Sequence, residues 1–340
     1  MKRRLKDHMK NDFNHKKRKI QNPLPDIAYA VSRLGRKTLP ADFRGRGAYA
    51  YAIRHVKREK YVCIITMDGF SPSTRRAMRG IERVLAANGY NAVYRDSQNL
   101  QSKEEKILKS MMQRKIVGYI IEPSKSQLMC GHMYIYNRLD KENIPYVFIR
   151  AAYPQMTDKP SVTVDDNKGG YILTRHMIAT AGENVVGIFR ADSSRGVERH
   201  KGYVRALQEA GIPYRPELVI WYHIEEQTQK PILAIEGILN MHPCDGIICY
   251  DDVMAEDVID YLTASGYAVP DDIAVAGYGN AIIATNGRLG LTTVAQPDEL
   301  MGEMAAEYLI EKMTKGFDGV TEKVLNPELV IRGSTIGSDI

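Results

Sequence analysis

From residue 61 onward the chain alternates short, wholly apolar runs with longer stretches whose apolar residues recur at helical spacing. This feature constrains the fold most. "YVCIITM" (61–67) reads as a buried strand, and "SPSTRRAMRGIERVLAANG" (71–89) follows with Met78, Ile81, Val84 and Leu85 on one helical face and a glycine near its end. The pattern repeats through "YNAVYRDS", "SKEEKILKSMMQRK", "VGYIIEP", "MYIYNRLDKEN" and "PYVFIRA". It restarts with "GGYILTRHMIATAG", "VVGIFRA", "GVERHKGYVRALQEAG", "LVIWY", "PILAIEGILNM", "GIICYDD", "VMAEDVIDYLTASG" and "IAVAGYG". Continuous apolar strands are expected where helices cover both faces of a parallel sheet. The alternation therefore predicts an α/β protein of doubly wound parallel sheets. There are too many units for one compact sheet, so two lobes are expected, divided near "TDKPSV" (157–162).

Ligands of open α/β sheets bind at the carboxyl ends of the strands. In a two-lobed chain those ends can face a shared cleft. This singles out Asp68, Glu122, Arg150 to Tyr153, Arg190 to Asp192, Tyr222, Asp251 and Asn280. Carboxylates, amides, an arginine and aromatic rings at such positions suit a neutral polyhydroxylated molecule: polar groups pair with hydroxyls and a ring packs on C–H faces. Competing structural roles are open at several positions. Asp252 is expected as the cap of the helix after "GIICY", and one of Asp165 and Asp166 as the cap of the helix in "NKGGYILTRHM". Arg199, placed on the first turn of its helix, is either an exposed charge or a cleft residue.

No catalytic signature is present. The phosphate-cradling G-x-x-x-x-G-K-[ST], a G-x-G-x-x-G opening a helix, the G-x-S-x-G elbow and H-E-x-x-H are all absent, and the eight histidines lack metal spacing. The chain is accordingly read as a non-enzyme without metal or cofactor. The four cysteines (Cys63, Cys130, Cys244 and Cys249) form no C-x-x-C pair, so disulfides are not expected and the cytoplasm is the expected compartment. No apolar run reaches the 18 residues of a membrane span, and the basic N-terminus lacks the apolar stretch of a secretory signal, so no membrane partner is expected.

Charge is divided unevenly. Residues 1–60 hold 18 Lys and Arg against 5 Asp and Glu, and the remaining 280 residues hold 29 against 36. A basic arm on an acidic body suggests a polyanion partner for the arm, or a solvated tail.

At the strand-end residues the chain resembles the effector-binding core of the lactose/galactose repressor family (LacI/GalR type), which is periplasmic-binding-protein-like. The resemblance covers roughly residues 60–335 and rests on "RGIERVLAANGYNAV", "VDDNKGGYILTRHMI", "GVERHKGYVRALQEAGI", "DGIICYDDVMAEDVIDYLTASGYAVPDDIAVAGYGN" and "LTTVAQPDELMGEMAAEYLIEKM". Within that family it is most similar to arabinose-responsive repressors of Gram-positive bacteria, through "GYIIEPSKSQL", "YVFIRAAYPQM", "FRADSSRGVERHKGYVRAL" and "LNPELVIRGST". These join a gluconate-repressor (GntR-type) winged helix to a sugar-sensing core. The resemblance implies that Asp166, Arg199 and Asp251 contact sugar hydroxyls, with Phe70, Glu122, Tyr153 and Trp221 as further lining residues. Many relatives carry an acidic pair where this chain has Gly279 and Asn280, which implies an effector other than arabinose or weaker binding, with Asn280 left to accept a hydrogen bond.

The resemblance also implies a body of residues 60–340 that dimerises with itself. Its lobe 1 would span about 60–158 plus 292–318, and lobe 2 about 159–291 plus 319–338. Residues 1–59 carry "PLP" (23–25), "VSR" (31–33) and "GRGAYA" (45–50) in winged-helix order but compressed, with 19 residues between "PLP" and "GRG". Two helices of about 10–14 residues would consume that stretch, and Pro40 falls where a recognition helix should continue. The leader is read as a degenerate or incomplete winged helix in which Arg33, Arg36, Lys37 and Arg46 are the DNA-binding candidates. The expected function is a sugar-responsive DNA-binding transcriptional repressor, sensing L-arabinose or a related pentose. The alternatives are a cytoplasmic sugar-binding protein or a repressor descendant that has lost specific DNA binding. A solute-binding protein for a transporter and an enzyme on the same scaffold are disfavoured by the basic leader and by the lack of an assembled catalytic site.

Overall fold

The computed structural model describes residues 60–69, 71–281, 284, 290–316 and 322–336. The leader candidates Arg33, Arg36, Lys37 and Arg46, and Phe70, lie outside the described residues.

In the first half, β1 (Lys60–Thr66), α1 (Pro72–Ala87), β2 (Tyr90–Asp96), α2 (Gln101–Met112), β3 (Ile116–Ile121), α3 (Met133–Lys141), β4 (Tyr146–Ile149) and β5 (Ser161–Val164) follow one another. Then come α4 (Asp166–Thr180), β6 (Val185–Arg190), α5 (Ser194–Glu209), β7 (Val219–Tyr222), α6 (Lys230–Met241), β8 (Gly246–Ile248), α7 (Asp252–Ala264) and β9 (Ala274–Tyr278). The chain finishes with β10 (Thr292–Ala295), α8 (Asp298–Lys315), β11 (Glu322–Leu325) and β12 (Glu328–Val330).

Among the described residues two sheets of six strands result, ordered β11-β5-β4-β3-β1-β2 and β12-β10-β9-β8-β6-β7. All neighbours run parallel except β10 and β12. The strand order reverses between β1 and β3 in one sheet and between β6 and β8 in the other. Those switch points are where such sheets leave a crevice.

The expected doubly wound lobes are therefore present, but their boundaries differ from the expectation. β5 and β11 belong to the first sheet and β10 to the second. Lobe 1 thus comprises the described residues of 60–164 and 298–325, and lobe 2 those of 165–295 and 328–336. The chain crosses three times, at 164–166, 295–298 and 325–328. Between two of these crossings Asp165 N–H donates to Leu325 O at 2.9 Å. Strands of three or four residues at the edge of a crossing carry too little periodicity to show which sheet they join.

Both faces of each sheet are covered. In β1, Val62 and Ile64 pack under α1 and α8, while Cys63 and Ile65 pack under α2 and α3. Lobe 2 repeats the plan, with Val186 and Ile188 on one face and Val185 and Phe189 on the other. The four cysteines are free thiols. Burial pushes Cys63 and Cys244 up to about 12, nearby Arg95 opposing this at Cys63, so both stay protonated and inert at neutral pH.

Helices α4 and α5 pack closely because glycines face each other's backbone. A Cβ on Gly202 would fall 2.1 Å from Asn167 O, and one on Gly170 would fall 2.2 Å from Arg199 O. This approach fixes α5, and with it Arg199, against lobe 2. Among the described residues, no helix is long and apolar enough to cross a membrane.

Candidate functional site

The carboxyl ends of both sheets open on a cleft of about 420 Å³. From lobe 1 it is lined by Asp68, Ser73, Thr74, Arg76, Asp96, Asn99, Glu122 and Arg150, from lobe 2 by Arg190, Arg195, Arg199, Tyr250, Asp251, Asp252 and Tyr278, and from a crossing by Gln296. A second hollow of about 520 Å³ lies at the amino edge of the first sheet, among Lys60, Tyr90, Ile144, Lys159 and Lys312. The cleft is the candidate site, because strand carboxyl ends and convergent charged groups meet there.

Arg199 sits on the second turn of α5 and is 3% exposed. Its Nε donates to Asp166 Oδ1 at 2.8 Å and its Nη1 to Tyr250 O at 2.5 Å. The guanidinium lies 3.5 Å from the Tyr278 ring centroid and 4.7 Å from that of Tyr250, so its plane is fixed by stacking. The remaining terminal nitrogen, Nη2, is buried without a partner among the described residues, as is Nη2 of Arg190. Unmet buried donors on residues that line a cleft are the groups a ligand oxygen satisfies.

Arg195, one turn earlier on α5, faces Asp166 Oδ2 at 3.4 Å and donates to Gln296 Oε1 at 3.1 Å. Burial pushes the Tyr250 phenol up, but the charges of Arg190, Arg195 and Arg199 outweigh this and hold it below its ordinary value.

On the lobe 1 side, Arg150 is 5% exposed and adopts φ 68. Such a backbone is costly for a residue other than glycine and tends to persist where surrounding bonds enforce it. Its guanidinium donates to Thr74 Oγ1 (3.1 Å), Glu122 Oε2 (3.2 Å), Ser73 Oγ (2.8 Å) and Asp298 Oδ1 (3.2 Å). Glu122 is thereby aimed into the cleft with one oxygen engaged.

Asp251 and Asp252 divide the work at the end of β8 differently from the expectation. Asp251 is the cap of α7: it is extended (φ −147) and accepts from Met254 N–H at 2.9 Å, while still lining the cleft. Asp252 is 2% exposed and accepts from Thr293 Oγ1 and Ala281 N–H, each at 2.6 Å. Burial raises the pKa of Asp252, and these two hydrogen bonds oppose the rise. Of the other pair, Asp165 is the cap, accepting from Lys168 N–H at 2.8 Å. That leaves Asp166 to the arginines.

The structure brings Arg199, Asp251 and Glu122 together in the cleft. Asp166 stands behind them, with both oxygens facing Arg195 and Arg199, and anchors those side chains without lining the cleft itself. Three candidates lie elsewhere. Tyr153 is fully buried in lobe 1, its phenol donating to Glu104 and to Ser124 O at 3.1 Å. Trp221 packs on the outer face of the second sheet, with ring centroids 4.8 Å from His200 and 5.6 Å from Phe189. Strand pleating sends it opposite to Ile220 and Tyr222, so it cannot share their side. Asn280 adopts φ 47, and its side-chain oxygen accepts from Arg332 Nη2 at 2.7 Å.

Residues that the sequence reading did not single out are Arg195, Tyr250, Tyr278, Gln296 and Arg76. The i, i+4 spacing of Arg195 and Arg199 is the signal that could have found the first. Asp192, His223 and Glu225 bring possible metal-ligand atoms within 4.8 Å. The Asp192 oxygens already accept from Arg190 and Asn99, and Glu225 pairs with Lys125, so these groups are committed elsewhere.

A bilobal core with three crossings and a polar interlobe cleft defines the class of effector-binding domains that close on small solutes. Residues 174–335 match the family model for the periplasmic binding protein-like domain. The solved structure of the transcription regulator CcpA of Lactococcus lactis superposes with TM-score 0.72 at 24% identity, covering 82% of this chain and 100% of that one. The arabinose metabolism transcriptional repressor of Halalkalibacterium halodurans is 30% identical over 334 residues, 96% of this chain and 87% of the relative. That of Geobacillus stearothermophilus is 33% identical over 262 residues, 76% of this chain and 72% of the relative. The chain belongs to the family of the arabinose metabolism transcriptional repressors.

Proposed function

We propose that this chain is a sugar-responsive transcriptional repressor whose two lobes close on a neutral pentose, L-arabinose or a close relative. The observation that carries the reading is the charge balance of the cleft lining, five arginines against five carboxylates among the described residues, together with the buried nitrogens of Arg190 and Arg199 that none of those residues satisfies. An anionic ligand would find carboxylates wherever it found arginines. A polyol hydroxyl uses both, accepting from Arg199 and donating to Asp251 or Glu122. Asp166 positions the two arginines of α5, and the Tyr250 and Tyr278 rings supply apolar surface.

In this reading the protein acts as a cytoplasmic homodimer and a sensor, not an enzyme. The basic leader engages DNA, with Arg33, Arg36, Lys37 and Arg46 on phosphates. Sugar binds the closed lobes more tightly than the open ones, and that difference is what shifts the DNA-bound population. The turned-away Asn280 supports an effector contact set without the acidic pair of many relatives.

Two measurements test this. Titration calorimetry of the full chain against L-arabinose, D-xylose, D-ribose and arabinose 5-phosphate should give a saturable heat for a neutral pentose and none for the phosphate. Operator binding at several salt concentrations should be released by the same sugar. Equal affinity for random and operator duplexes would remove the specific-repressor reading, and absence of any pentose heat would remove the sensor.

A further inference from the structure

Helix α5 carries Arg195 and Arg199, yet its own cap residue, Ser193, makes no side-chain capping bond. The Ser193 hydroxyl is instead 3.2 Å from Tyr250 Oη. The first four amides of any helix need acceptors from outside it. Here one comes from the opposite lobe: Ser194 N–H donates to Ser126 Oγ at 3.1 Å, and the two serine hydroxyls are 2.9 Å apart. Ser126 is 6% exposed and lies in the segment after β3.

That segment is fixed within lobe 1. Ser124 N–H donates to Glu104 Oε2 at 2.7 Å, and Ser124 Oγ donates to Ser97 Oγ at 2.8 Å. Glu104 is fully buried, and its other oxygen takes bonds from Tyr136 (2.7 Å) and His132 (3.0 Å). A second contact crosses beside the first. Asn99 holds Lys125 N–H through Oδ1 at 2.7 Å, and its Nδ2 donates to Asp192 Oδ2 at 2.9 Å in the other lobe. Asn99 adopts φ 53 while bridging the lobes.

We propose that Ser126 and Asn99 are positioning residues that act across the cleft: Ser126 caps α5 and Asn99 holds Asp192 from the other lobe, so that the helix carrying Arg195 and Arg199 is capped only on closure. This rests on the sugar-sensing reading above. In an open cleft the Ser194 amide and Asp192 turn to water. In the closed cleft both are satisfied by lobe 1, and the arginines are held on a capped helix. The pair therefore biases the lobes toward closure before any sugar arrives and sets how much sugar is needed to complete it.

The test compares the full-length native protein with S126A and with S126T, which keeps the hydroxyl. L-arabinose calorimetry and hydrogen exchange are read together. S126A should bind about fivefold more weakly, the usual effect of losing a helix cap, and should exchange faster at residues 194–197 with the rest of α5 unchanged. S126T should restore both. Native affinity together with native exchange in S126A would overturn the proposal. If the native protein ignored L-arabinose the sugar reading would fail, but the exchange at 194–197 would still decide the cap: faster in S126A supports it, unchanged refutes it.

Discussion

Arg199→Ala is the most informative single perturbation of the cleft. The side chain is 3% exposed, and its loss removes one donor to the ligand, one ion pair and the stacking between Tyr250 and Tyr278. A hydrogen bond from a charged group contributes about 1.5–3 kcal/mol. L-arabinose affinity should therefore fall roughly 10- to 100-fold. Breaking a buried ion pair costs about 3–5 kcal/mol when the partner is left alone. Asp166 retains Arg195 at 3.4 Å, so the lower end, about 3 kcal/mol, is expected. For a core of this size that is a melting temperature lower by about 6 °C. The assay is calorimetric titration at a temperature where circular dichroism shows the variant folded, with Arg199→Lys alongside. Lysine keeps the charge but lacks the planar fork that grips Asp166 and the Tyr250 carbonyl together, so it should recover stability more than affinity. A folded Arg199→Ala protein with native sugar affinity would refute the assignment of the pocket.

Four further outcomes are expected. Burial pulls the His132 imidazolium down, but hydrogen bonds to Cys130 and Glu104 and the Glu104 carboxylate charge outweigh it and raise its pKa to about 9. The folded protein thus holds this proton more tightly than the free side chain at about 6.5. The stabilisation is complete below that value and is lost as pH rises through 9, by at most about 3 kcal/mol; urea midpoints between pH 6 and 10 should fall in the native protein and flatten in His132→Gln. Gly202→Ala drives a methyl into the backbone of α4 and should cost about 1–3 kcal/mol while weakening sugar binding through the displaced Arg199. Native stability and affinity in that variant would show that the helices have room to part. Removing residues 1–59 should leave pentose affinity unchanged and abolish DNA retention. Changing Arg33, Arg36, Lys37 and Arg46 to alanine should lower the slope of log affinity against log salt by about seven for the dimer, one phosphate for each of these residues in both protomers.

The sequence made the layered plan legible because strands covered on both faces leave continuous apolar runs, as in residues 61–67, and amphipathic helices separate them. The same property hid the direction of individual side chains. When both faces are apolar, alternation no longer marks which one meets a site, so Trp221 and Tyr153 looked as available as Tyr250. They differ only through pleat and turn geometry. The short strands β5, β10 and β11 were illegible for another reason: local pattern identifies an extended segment, but membership of a sheet is decided by a partner far along the chain, as Ser161 with Glu322.

Adjacent carboxylates posed the same problem at finer scale. Asp251 and Asp252 are chemically identical neighbours. One extended residue at a helix start makes the first a cap on the cleft wall and leaves the second buried against Thr293. Arg199 was legible because an arginine early on a helix that follows a strand end can point only along the surface or into the crevice; the arginine four residues earlier, which shares its face, was the signal left unused. Two arginines converging on one buried aspartate make the crevice the favourable choice: an exposed pair would repel and gain nothing from Asp166, whereas a buried pair needs that carboxylate and leaves a donor over for a ligand.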